Sequence, residues 1–114
     1  MRDIALASLA RHLARVTNDP HAPLRDRVVE SVIRGAGQTD PALRRAAADG
    51  VAAPAELQPL IDKIHRHAYK VTDDDVARLR AKYPDDQLFE IIVSAALGAS
   101  LSRLRAGLEA LDQT

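Results

Sequence analysis

The sequence predicts an all-α fold of about six helices. Three observations predict it. Apolar residues recur at helical spacing along most of the chain, and no segment alternates as a strand does. Proline, aspartate, threonine and glycine mark starts and stops at short intervals. The stretch Pro84–Leu111 reads as one long helix around which shorter segments pack.

Taken in order, residues 2–17 read as a first helix, with Ile4, Leu6, Leu9, Leu13 and Val16 interleaved by Arg11 and Arg15. Asn18-Asp19-Pro20 stops it. Pro23 opens a second helix to about Arg34, with Leu24, Val28 and Val32 at i, i+4 and i+8. Gly35-Ala36-Gly37 ends it, because glycine accepts the left-handed position past a helix. Thr39 or Asp40 caps a short Ala-rich helix from Pro41 to Asp49, and Gly50 lies past its end. A fourth helix begins near Pro54, or nearer Leu57 or Gln58 because Pro59 falls in its first turns. Its face is Leu57, Leu60, Ile61, Ile64, Ala68 and Val71. Thr72 caps a fifth helix, with Asp73, Asp74 and Asp75 in its first turn and Val76 and Leu79 inward. Asp75 is placed to reach back to the cap.

Pro84, Asp85 and Asp86 suit the start of the long helix, where a missing N–H is harmless and negative charge is favoured. At about 100° per residue, Leu88, Ile92, Ala95 and Ala99 share one side. Leu97, Leu101, Leu104, Leu108 and Leu111 share the opposite one. An ordinary surface helix has a single apolar stripe, so this helix is expected to be covered on both sides, the second time by another subunit. The centre, Ser94 to Ser100, is mostly small and admits a neighbouring backbone. The apolar stretch reads as too short and too interrupted to span a bilayer.

Composition narrows the function classes. The 114 residues are expected to form a single domain, 1–114. Sixteen basic and sixteen acidic residues balance and are intermixed, which argues against nucleic-acid or membrane partners driven by charge. With no cysteine, disulfides, thiol catalysis and cysteine-ligated zinc are excluded. One Phe, two Tyr and no Trp leave an aliphatic core and no platform for stacking bases. No apolar signal-peptide core follows Met1, so the expected location is the cytoplasm. No cofactor and no metal ligand set is expected.

The candidate site residues are His65, His67 and Glu90. His65 and His67 are two apart on the fourth helix, so they point about 200° apart and do not chelate one metal together. They read first as histidines at the two edges of an apolar face. His12 and His21 are isolated and read as exposed. Glu90 falls on the side of Leu97, Leu101 and Leu108, so its carboxylate needs a partner such as an arginine. Its first reading is a paired structural carboxylate; a proton-transfer role is the sharper alternative. Asp73-Asp74-Asp75 lacks the glycine and closing glutamate of a calcium loop and fits a helix start. Gly35-Ala36-Gly37 follows a helix and has no Gly-Lys-Ser/Thr, so it is no phosphate loop. Arg103, Arg105 and Glu109 read as a solvated face.

The run His67-Ala68-Tyr69-Lys70-Val71-Thr72-Asp73-Asp74-Asp75-Val76, then Tyr83 to Glu90 and Ala95-Ala96-Leu97-Gly98-Ala99, resembles the carboxymuconolactone decarboxylase and alkylhydroperoxidase D-like superfamily over about residues 55–111. The resemblance implies an alkylhydroperoxidase D-like helical bundle and a homo-oligomer, commonly a trimer or hexamer. Peroxidase members use Cys-x-x-Cys-x-x-x-His. This chain lacks both cysteines, so that chemistry is excluded and no catalytic residue is carried over. The expectation is a cysteine-free, non-peroxidase member acting as a homo-oligomeric binding or scaffold protein. One alternative is a small-molecule decarboxylase or lyase in which His65, His67, Tyr69 or Glu90 supplies acid–base chemistry, with Arg66 or Arg78 holding a small carboxylate ligand. The other is a helical protein–protein adaptor.

Overall fold

The computed structural model describes Pro20 and residues 22–113. Among the described residues five α-helices follow one another: α1 (Ala22–Arg34), α2 (Pro41–Asp49), α3 (Gln58–Arg66), α4 (Asp73–Ala77) and α5 (Asp85–Asp112). A 3-10 turn, Ala68–Lys70, lies between α3 and α4. The described residues contain no strand, so the fold is all-α. The helix expected over 2–17, and with it His12 and His21, lies outside the described residues.

Local chemistry fixes most boundaries. The Asp40 side chain accepts the Ala42 N–H at 2.8 Å, and Pro41 stands in the first turn of α2. Gly50 closes α2 at φ 78°, a left-handed conformation costly to a side chain, and its N–H reaches the Ala46 and Ala47 carbonyls. Thr72 and Asp75 form a reciprocal capping box at the start of α4. Two expectations need correction. The fourth predicted helix starts at Gln58 but stops at Arg66; Ala68 falls in the 3-10 turn, exposed, although Val71 still packs on the core. On α1 the buried positions are Ala22 and Ile33, with Val29 packed beside them on α5. Leu24 and Val28 are exposed. An i, i+4, i+8 pattern identifies a stripe but not which of two stripes meets the body.

The core lies where α2 and α3 cover α5. Ala47, Leu57, Leu60, Ile61, Ile64, Leu79, Leu88, Ile91 and Ala95 form one cluster. Leu57, Ile61 and Ile91 are wholly enclosed, and burial of each contributes roughly 2 kcal/mol. α2 runs beside α5 in the same direction: Gln38, just before α2, meets Glu90, and Ala48 near its end meets Gly98. The second contact is backbone on helix. A Cβ at Gly98 would lie 1.9 Å from the Ala48 carbonyl oxygen. The small residues at the centre of α5 therefore receive a neighbouring backbone, as their size predicts.

The second side of α5 is covered only in part. Leu101 and Leu108 are buried with Val29 and Leu97 packed on them, whereas Leu104 and Leu111 stand exposed. The reading of this stretch as too short for a bilayer does not hold by length: α5 has 28 residues, and an 18-residue window has a mean hydropathy of 1.3, enough by length and composition alone to cross one. Leu88, Ile91, Ala95 and Ala99 spend that apolar character on α2 and α3.

Candidate functional site

The chain between α3 and α5, residues 67–84, forms a strap over one flank of α3. Where it meets α3, a cleft of about 230 Å³ is lined by Glu56, Pro59, Leu60, Lys63, Asp75, Arg78 and Leu79. Its apolar surface comes from Pro59, Leu60 and Leu79, and its charges from Glu56, Lys63, Asp75 and Arg78. Each position follows from the sequence locally. Lys63 lies one helical turn after Pro59, and Asp75 is fixed by the capping box at Thr72.

Both carboxylates at the cleft are engaged. Lys63 Nζ donates to both oxygens of Asp75, at 3.0 and 2.8 Å, Arg78 Nη2 donates at 3.2 Å, and the Thr72 N–H at 2.9 Å. The Asp75 side chain is 9% exposed, and the Lys63 hydrogen bond, then that of the Thr72 amide, lowers its pKa to about 2. Glu56 accepts from Lys82 Nζ at 2.7 Å and from the Tyr83 hydroxyl at 2.6 Å. Lys82 foremost, then Tyr83, lowers the Glu56 pKa to about 2. Desolvation, then the bond to Glu56, raises that of Tyr83 to about 12. Lys63 and Arg78 retain N–H groups beyond those given to Asp75, because an ammonium has three donors and a guanidinium five.

The three predicted site residues occupy three surroundings. His65 is half-buried; its Nε2 lies 2.9 Å from the Ala47 carbonyl oxygen and its ring packs under Gly50. It closes the last turn of α2. His67 is exposed at the end of α3, with Tyr69 edge-on to it at 6.0 Å. Glu90 sits at the other end of α2, about 13 Å away along that nine-residue helix. Its two oxygens accept the Gln38 N–H, each at 2.8 Å. The expected arginine partner is replaced by a peptide N–H, and a Cβ at Gly37 would meet Glu90 Oε1 at 1.9 Å. Among the described residues no three His, Asp or Glu side chains gather as metal ligands. Arg66 and Tyr69 are exposed and line no part of the cleft, whereas Arg78 does.

Two arginines show roles that sequence reading missed. Arg44, 3% exposed, donates to the carbonyls of Val32 at 2.9 Å, Gly35 at 2.7 Å and Thr39 at 3.4 Å. The connection 35–39 is thus held through its carbonyls by Arg44 and through an amide by Glu90. Arg103, expected on a solvated face, donates to the His65 carbonyl at 2.8 Å and ties the end of α3 to α5. An arginine within a short Ala-rich helix gives no hint of carbonyl partners, so only the packed fold reveals them. Compared with family models, curated proteins and solved structures, the chain matches none.

Proposed function

We propose that this chain is a cysteine-free, non-peroxidase protein of the carboxymuconolactone decarboxylase-like kind, working in the cytoplasm as a homo-oligomeric binding or scaffold module. One observation carries the assembly reading. Leu24 and Val28 on α1 are 51% and 49% exposed, and Leu104 and Leu111 on α5 are 40% and 66% exposed. Single exposed apolar residues are ordinary, but these four lie on two helices that pack together, with Val29 of one against Leu101 and Leu108 of the other. A second copy of the chain is the partner, in the trimer or hexamer that the resemblance implies. The ligand is a small carboxylate, received by the free donors of Lys63 and Arg78 at the cleft.

Light scattering after size exclusion tests the assembly. The expected mass is a multiple of 12.4 kDa. Leu104→Asp with Leu111→Asp should reduce it to one chain with the helical circular dichroism retained. A wild-type monomer at micromolar concentration overturns the reading and leaves the face to a different protein, as the adaptor alternative requires. The lyase alternative has against it that His65, His67 and Glu90 have separate partners among the described residues and that none of them lines the cleft.

A further inference from the structure

The strap is fastened to the body through side chains. The backbone hydrogen bonds of residues 70–83 close within it: Val71 to Ala68, Arg78 to Asp74, Leu79 to Val76, Lys82 and Tyr83 to Leu79. The bonds from His67 to Lys63 and from Leu88 to Pro84 mark its two ends. α4 builds no broad interface with another described helix. What reaches the body is side chains: Leu79, Val71, Val76 and Tyr83 on the core cluster, and two charged fasteners. In one, a strap carboxylate, Asp75, takes Lys63 of α3. In the other, a body carboxylate, Glu56, takes Lys82 and Tyr83 of the strap. The cleft is the seam between these two attachments.

We propose that residues 67–84 open and close as one unit, hinged at His67 and Pro84, with Lys63–Asp75 and Glu56–Lys82/Tyr83 as its two latches. Because its backbone hydrogen bonds are internal, lifting breaks none to the body, and once off the core its short turns open and their amides exchange. Opening breaks the two latches and withdraws Leu79, and the cleft widens into a groove along α3. Such a segment belongs to the part of a fold that opens below the cost of global unfolding.

Native-state hydrogen exchange on the full chain at neutral pH tests this. The probes are the amides of Val71, Arg78, Leu79, Lys82 and Tyr83, with hydrogen-bonded amides of α2 and α5 as reference. In Lys63→Met, which leaves the Thr72–Asp75 capping box in place, and in Glu56→Gln, each taken alone, all five strap amides should exchange about tenfold faster, the loss of a charge-assisted contact, with the reference amides unchanged. Equal acceleration of strap and reference amides means global destabilisation and overturns the proposal. So does an unchanged strap. Acceleration near Asp75 in one variant and near Tyr83 in the other means two independent pieces, which also overturns it.

Discussion

The α2–α5 seam and the α3–strap seam hold the same small body together by opposite means. At the first, Ala48 and Gly98 bring backbone against helix, and the neighbours are Ala46, Ala47, Ala95 and Ala99. At the second, Lys63, Asp75, Glu56, Lys82 and Tyr83 meet through charged groups around an open cleft. Around Ala48 and Gly98 the first has no room for an added atom and meets through uncharged groups. The second has room but depends on the ionisation of two carboxylates. Geometry limits one seam and solution conditions the other.

Added volume separates the seams most strongly. Gly98→Val should cost about 3 kcal/mol, read from chemical denaturation, because the Ala48 carbonyl must move. The same enlargement at exposed Ala77, in the strap, should cost less than about 1 kcal/mol. Comparable losses would mean that the α2–α5 contact is soft. Next comes Tyr83→Phe, which removes the donor to Glu56 and should cost about 1 kcal/mol at pH 7.

That variant also carries a pH signature. Tyr83 has its pKa raised to about 12, so its contribution is complete below the unfolded value of about 10 and is lost as pH rises through about 12. The alkaline loss of stability between those values should shrink in Tyr83→Phe. On the acid side, Asp75 and Glu56 contribute fully above the unfolded carboxylate range near pH 4 and lose it as pH falls through about 2. Asp75→Asn should flatten that acid limb, and an unaltered limb would place the latch outside the stability of the fold. The smallest effect is expected from Arg103→Ala, about 0.5 kcal/mol, because its bond to the His65 carbonyl is solvent-exposed.

Legibility followed the range of the interaction. Asp40 with Gly50, and Thr72 with Asp75, act within a turn of their own helix, so their residue types announce the boundary. The long helix from Pro84 was equally plain, being proline and acid followed by apolar periodicity. The end of α3 at Arg66 was not, because no glycine or proline follows and Ala68 and Val71 continue the spacing. Neither was the inward face of α1, where Leu24 and Val28 are larger than Ala22 yet lie outside. For the site, sequence singled out Glu90 and required a partner for it. The partner is a peptide N–H 52 residues away, which no side-chain pattern reveals. Glu56 with Tyr83 and Lys63 with Asp75 are likewise joined across turns, so the cleft is a product of the tertiary fold.

The contact at Gly98 acts like a key in a shaft. With the Ala48 carbonyl seated in it, α5 cannot turn about its own axis without a collision. The azimuth of every later residue on that rigid rod is then set. Leu104 and Leu111 emerge about 240° and 220° round from Gly98, nearly in line with each other. A packing detail in the middle of the molecule thereby aims the apolar row at its far end, and a change at position 98 would misdirect that row even where the fold survives.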